Sequence, residues 1–567
     1  MSSDLYWKRE LERVHPALPS LQSQVARGEV SRREFLRSAT LLGLGATAAY
    51  AMTGLPRPAS AAARSAEAKA GGTLRVAMRV REIADPALLN SVTQSNQARH
   101  ILEYLTKTGT DNVTRPYLAE NWSTSEDLKT WTFNLRRGVR WSNGDAFTAE
   151  DVAFNVRRWL NPEIGSANIG LFSAMTEEVR TGGTDESGKP LTRTGMTEGA
   201  IEVLDEHTIR FHLNRAELAL PENFYNYGCC LAHRGLEEMG GNLAAAPVGT
   251  GPFELVELAP SAKQVMRRRD DYWGQAPLLE EVHYIDVGDD PAATLSALVS
   301  DQVDLSYEND VNQLEILERQ SSLQIFEALT AQTGVARMQM TQAPFDDRRV
   351  RQAVTACMDH EALLRIALRG RGAPAENHHV CPIHPEYYQL PPLKQDHDRA
   401  RALLAEAGHG DGLRVSIDVA SSTGQWELNA VLALKQQLAP AGIVLEPNPL
   451  PAAKFWDVWL KTPFGFTPWT HRPLGVMVLN LAYRSGVPWN ESKYSNPDFD
   501  AALTEASGLL DPTARRSAME QVQRILQEDA VIAQPLWRSV LSAGNRRVQG
   551  YEMHPTQYHD FGDTWLS

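Results

Sequence analysis

Cysteine is scarce: the 567 residues hold four, Cys229, Cys230, Cys357 and Cys381. None belongs to a CxxC pair, which excludes a disulfide-stapled scaffold and leaves stability to buried apolar surface. A basic excess is missing as well. The chain sets 56 Lys and Arg against 70 Asp and Glu, a net charge of −14, whereas a nucleic-acid binder presents a positive face to phosphate. There is no internal repeat, no GxSxG elbow, no HExxH helix and no GxGxxG fingerprint. The nearest approach to a phosphate loop is Gly183-Thr184-Asp185-Glu186-Ser187-Gly188-Lys189, but Pro190 stands where a magnesium-binding hydroxyl is required. The stretch 181–199 reads as a polar solvent loop, as does 408–412. Cys229 and Cys230 read as a buried pair, because adjacent cysteines bridge only with strain.

Long apolar runs are also lacking, with one interrupted exception. The stretch from Ala39 to Leu55 is diluted by Gly43, Gly45, Thr47 and Gly54 and falls short of the roughly 20 residues that span a bilayer. Ser31-Arg32-Arg33-Glu34-Phe35-Leu36-Arg37 precedes it and Ala59-Ser60-Ala61-Ala62-Ala63 follows. A basic, then apolar, then small-residue order is that of a signal peptide, and the paired arginines resemble a twin-arginine export signal. Residues 1–63 are therefore expected to be an address and not part of the fold, with cleavage near Ala61 or Ala63. No cysteine follows to accept lipid, so the mature protein is expected to be soluble and periplasmic. Residues 1–70 carry ten Lys or Arg against six acids, which leaves −18 for the rest.

What the chain has in quantity is patterned apolar residues, 43% of the total, over a length that exceeds one ordinary core. Leu74, Val76 and Met78 alternate with polar or small neighbours in the period of a strand, as do Trp131, Phe133 and Leu135; Ile209, Phe211 and Leu213; and Val415, Ile417 and Val419. Thr148-Ala149-Glu150-Asp151 is a capping-box start that puts Val152, Val156 and Trp159 on one helical face. A helix after Asp346-Asp347 aligns Val350, Val354 and Cys357, and residues 512–528 read as a surface helix. Interleaved strands and helices predict an α/β protein with mixed sheets and several subdomains.

Several longer stretches then resemble one family. They are Pro116 to Trp122, Trp131 to Asp145, Phe147 to Val152, Gly249-Thr250-Gly251-Pro252-Phe253, Asp271-Tyr272-Trp273-Gly274, Pro344 to Ala353, and Tyr494 to Phe499. In this order they look like the peptide/opine/nickel family of extracytoplasmic solute-binding proteins, family 5. The resemblance implies a two-lobe periplasmic-binding-protein architecture with a discontinuous first lobe that carries an extra subdomain. It places the first lobe at 71–330 with a return at 531–567, and the second at 331–530. It also implies a monomeric capture subunit that closes around a solute and passes it to an ABC permease, with no cofactor and no catalytic residues. Trp122, Trp131 and Trp141, with Gly138 and Gly144, are read as packing and turn residues.

The solute is expected at Phe464 to Pro473. Peptide-binding relatives resemble one another there in a Trp-x-x-Asp pattern whose carboxylate pairs with the peptide ammonium. Counting from Trp469, the matching position is Arg472, and a guanidinium can only donate. It suits a carboxylate or phosphate, so the expected solute is peptide-like or an opine-like amino-acid conjugate with an anionic group. An internal salt bridge at Arg472 is the structural alternative. His471, Trp469 and Trp489 are further candidates, followed by Tyr225 and Tyr227, and by Thr93 and Gln94 from the first lobe. The stretch Asn223 to Cys230 has an alternative reading as a strand edge. His378, His379, Cys381 and His384 offer four metal-type ligands within seven residues, but in no established spacing; they are read as partly exposed loop residues. Two alternatives stay open: a true dipeptide or oligopeptide binder whose acidic ammonium partner is unlocated, and a periplasmic hydrolase of amide or glycosidic bonds.

Overall fold

A computed structural model describes residues 11, 14–53, 55, 68–184, 190–420, 422 and 424–567. The alternating stretches become strands. Thr73–Ala77 buries Leu74 and Val76 and lies parallel to both Glu281–Ile285 and Leu305–Ser306. These belong to a 12-stranded mixed sheet. Its order begins Phe253–Ala259, Lys263–Arg268, Glu281–Ile285, Thr73–Ala77, Leu305–Ser306 and Leu536–Asn545, and continues Leu323–Met338, Phe464–Trp469, Leu413–Val419 and Ile443–Pro449.

Two strands carry this sheet from one half of the molecule to the other. Leu323–Met338 and Leu536–Asn545 run antiparallel, with a register shift between Leu329 and Gln332. Beyond that shift Leu323–Met338 pairs with Phe464–Trp469, so the segment expected to read the solute is held in register by the crossing strand, Thr333 opposite Trp469. Separate cores fill the two halves, one around Leu74, Val76, Met266 and Tyr284, the other around Val350, Val354, Ile417 and Val431. A four-stranded antiparallel sheet, Ala119–Thr124, Thr130–Leu135, Thr208–His212 and Ile201–Asp205, forms an additional layer. The helix Ala149–Trp159 packs on it from the predicted capping box, in which the Asp151 carboxylate accepts from Thr148 N–H at 2.8 Å.

The family-like stretches hold the framework. Trp122, Trp131 and Trp141 are all buried. Tyr272 Oη and Trp273 Nε1 each donate at 2.7 Å to the buried carboxylate of Glu103. Gly249 and Gly251 lie against the backbone at His100 and Ile101, where any side chain would collide. Cys229 and Cys230 are free thiols, both buried.

Two expectations need correction. Residues 181–199 are not simply a solvent loop: Thr176–Thr184 and Pro190–Met196 pair as a hairpin, whose tip, 185–189, lies outside the described residues. Asn223 to Cys230 is not a strand edge; the helix Leu220–Asn223 is followed by turns. Residues 1–63 hold the stretch expected to be an export signal. Their described part folds as Leu18–Arg27, Arg32–Leu41 and Ala46–Thr53, with Phe35, Leu36, Ala39, Leu41 and Leu42 buried in the largest core. Ser31 and Glu34 cap Arg32–Leu41 reciprocally. Trp122 Nε1 donates to Leu41 O at 2.8 Å, Tyr50 Oη bonds Asp111, and Arg516 pairs with Glu34. An apolar stretch too short for a bilayer is long enough to give short helices one buried face. Ala61 and Ala63 lie outside the described residues. Among the described residues no helix is long and apolar enough to cross a membrane.

Gly249 gives a direct test of the framework. A Cβ there would stand 1.9 Å from Ile101 O and 2.7 Å from its carbonyl carbon, so backbone has to move. Gly249→Ala should cost at least about 2 kcal/mol, read as a lower urea midpoint at unchanged slope; an unshifted midpoint would show that this close approach is not constraining.

Candidate functional site

The strand Phe464–Trp469 delivers His471 and Arg472 to the junction between the two halves of the sheet. Arg472 is buried there. Its Nη1 donates to Thr470 Oγ1 at 2.6 Å and to His471 O at 3.0 Å, and its Nε has no hydrogen-bond partner among the described residues. The guanidinium carbon lies 5.4 Å from the centre of the Tyr227 ring, which comes from the other side of the junction. No carboxylate pairs with Arg472 among the described residues, so the internal salt bridge does not form.

His471 works as a clasp. Its Nδ1 accepts from Ala331 N–H at 2.9 Å, which leaves the proton on Nε2 to donate to Asn112 Oδ1 at 3.1 Å. Burial, with the charges of His384, His554, Arg472 and Arg37, holds the ring well below the ordinary histidine value, and it stays neutral. Trp469 donates its Nε1 proton to Glu491 Oε1 at 2.9 Å and stacks edge-on to Trp489, ring centres 5.9 Å apart. Tyr225 Oη accepts from Arg99 Nη1 at 3.2 Å. Thr93 and Gln94 are not brought into this group by any contact. Gln94 bonds Ser91 and the Glu82 carbonyl, and Thr93 Oγ1 meets Ser91 Oγ, at the start of the helix Val92–Ala98.

Three residues outside the expected set complete the group. Arg99 lies 3.8 Å from the centre of the Tyr558 ring and also faces Tyr104 and Tyr225. Tyr558 feels both Arg99 and Arg472, and Asn112 receives the His471 proton. Asn112 and Tyr558 sit in segments without periodicity, where the sequence offers no pattern. Arg99 did offer one, a charge set between Ala98 and the apolar Ile101-Leu102.

The four metal-type residues are buried, not partly exposed, because each is folded under the junction and bonded locally. His379 Nδ1 meets Tyr483 Oη at 2.7 Å, and His378 Nδ1 accepts from Val380 N–H. His384 Nδ1 accepts from Cys381 N–H, so Nε2–H donates to Arg472 O at 2.9 Å; burial lowers its pKa to about 4. Burial pushes the Cys381 thiol up to about 12. Among the described residues no three His, Cys, Asp or Glu converge as metal ligands.

Trp469 is oriented by Glu491, whose carboxylate also accepts from Thr467 Oγ1 at 2.6 Å and from the fully buried Arg337 at 3.0 Å. Glu491→Ala should cost about 3–5 kcal/mol by stranding Arg337 without a counter-charge, seen as a lower urea midpoint together with a shifted tryptophan emission; neither change would mean that Arg337 finds another partner.

Comparison with known proteins gives this geometry a context. The glutathione-binding protein GsiB of Salmonella choleraesuis (strain SC-B67) is 25% identical over 512 residues, 85% of this chain and 92% of its own. The fold matches that of DppA from Helicobacter pylori in complex with the peptide STSA, with a TM-score of 0.76, 22% identity and coverage of 88% and 98% of the two chains. It also matches AgaA from A. tumefacien R10 in complex with agropinic acid, with a TM-score of 0.75, 21% identity and coverage of 88% and 99%. The family described as "Bacterial extracellular solute-binding proteins, family 5 Middle" matches residues 114–510. A continuous match of this extent, on a two-lobe fold whose junction gathers arginines and aromatic rings, means that the chain belongs to the family 5 extracellular solute-binding proteins, the substrate-binding subunits of ABC importers.

Proposed function

We propose that this chain captures a small peptide-like or amino-acid-conjugate solute between its lobes and that Arg472 holds an anionic group of that solute. Residues 71–330 with 531–567 form the first lobe and 331–530 the second. The chain acts as a monomer, without enzymatic turnover, on the outer side of the inner membrane, and its N-terminal segment is a twin-arginine export signal. It delivers the solute to its membrane permease.

The observation that carries this reading is the state of Arg472. A guanidinium taken out of water needs acceptors, and Arg472 has a buried Nε without one. Its neighbours supply rings and neutral donors rather than a counter-ion: Tyr227 at one face, the neutral His471 beside it, and Tyr558 nearby. A ligand carboxylate would complete its hydrogen bonding in the bidentate manner that guanidinium geometry favours. Two relatives favour the same chemistry, since one is named for glutathione, an acidic tripeptide, and the other was solved with agropinic acid.

Native mass spectrometry of the purified protein should show a small acidic solute that is released intact on denaturation. Arg472→Ala should weaken its binding by about 10- to 100-fold, the cost of losing hydrogen bonds to a charged partner, as measured by calorimetric titration. A bound simple cation, or full affinity after Arg472→Ala, would refute the anion reading; a solute recovered cleaved would favour the hydrolase.

A further inference from the structure

The N-terminal helices are bonded to both lobes. Arg32–Leu41 ends on the first: Trp122 Nε1 donates to Leu41 O at 2.8 Å, and the turn that follows carries Gly43 at φ 94°, where a Cβ would stand 2.3 Å from Trp122 O. The next helix, Ala46–Thr53, adds Tyr50, whose Oη donates to Asp111 and accepts from Arg115 Nη2 at 2.8 Å. Arg32–Leu41 begins on the second lobe. Glu34 gives Oε2 to the Ser31 amide, which caps the helix, and Oε1 to Arg516, from the helix Pro512–Glu528. Gln24, from the preceding helix Leu18–Arg27, bonds Asp511, the residue that caps the same second-lobe helix.

A helix tied to one lobe at its first turn and to the other at its last cannot follow both when they part. The Glu34 and Arg516 side chains are only 17% and 29% exposed, so their ion pair is sheltered where an ordinary surface pair is not. The apolar face is committed as well. Phe35, Leu36, Ala39, Leu41 and Leu42 belong to the same core as Trp122 and Leu135 of the first lobe and Val522 and Leu526 of the second. The opposite face is free: Ser31, Arg32 and Arg33 are exposed.

We propose that residues 18–53 dock across the two lobes as an internal strap that holds them closed in the full chain. A chain strapped in this way is shut to solute until the segment leaves. The inference rests on the capture reading and deepens it, because it makes the N-terminal segment a regulator of the same lobe movement. With the apolar face bound and Arg32 and Arg33 turned outward, the export signal of that reading stays legible while the site is shut.

One backbone bond reports whether the lobes are together without any solute. Leu218 N–H, in the first lobe, donates to Ser507 O, in the second, at 3.3 Å, and no residue of the strap takes part in it. In the full chain Gln24→Ala/Glu34→Ala, which removes both polar ties to the second lobe, should speed hydrogen exchange at Leu218 by at least about 10-fold. Gly43→Val, which forces a side chain against the Trp122 carbonyl, should do the same from the first-lobe end. Tyr50→Phe, which loses the bonds to Asp111 and Arg115, replaces Gly43→Val if that variant does not fold. Arg32→Ala, on the exposed face, should leave Leu218 unchanged, and all these variants should leave exchange unchanged in the strand Leu413–Val419, inside the second lobe. Unaltered exchange at Leu218 in the releasing variants overturns the strap, and so does an equal acceleration at Leu413–Val419, which would make the segment a contributor to global stability alone. Either failure leaves the capture reading untouched, whereas a simple cation in place of an acidic solute in native mass spectrometry removes the anion clamp and leaves the strap.

Discussion

Charge buried between two bodies of protein is the constraint around which this molecule is arranged. An ionised group withdrawn from water is tolerated only where hydrogen bonds or opposite charge replace the solvent. The junction meets this demand in graded fashion. Arg337 is matched by Glu491, whereas Arg99, held by hydroxyls and tyrosine faces, and Arg472, held by one hydroxyl and one carbonyl, each keep a buried Nε without a partner among the described residues. Groups matched within the chain fix the geometry, and Arg472, matched incompletely, is the one proposed to meet the solute.

The histidines fit this scheme by losing their charge. His384 and His471 each accept a backbone N–H on Nδ1 and donate from Nε2, so both tautomers are set by the surrounding fold. Neutral rings can line an arginine-rich junction without adding to its repulsion. A metal would need their acceptor nitrogens, and those are spent on main-chain amides.

The framework was legible in the sequence because it obeys periodicity. Alternation marked Leu413–Val419 and Thr130–Leu135, and a capping box marked Ala149–Trp159. Arg472 stood out for another reason, as a departure from a pattern. Asn112 and Tyr558 were not legible, since their contacts depend on which loops the tertiary fold brings face to face, a relation between residues hundreds of positions apart. The three N-terminal helices escaped for a similar reason. A weakly apolar segment carries the same local code wherever it packs, and the surface that these helices meet, at Trp122 and Asp111, lies far along the chain.

The irregularity between Leu329 and Gln332 also bears on movement. Where the two crossing strands slip register, Ala331 turns its amide out of the ladder and gives it to His471, while Thr330 Oγ1 donates to the Arg538 carbonyl. A bulge is the softest point of a long strand, and here its freed amide is fastened to the residue next to Arg472. The irregular strand and the candidate site are thus joined directly. Any displacement of the His471 ring would therefore pull directly on the strand that crosses between the two halves of the sheet, through one hydrogen bond rather than a relay of side chains.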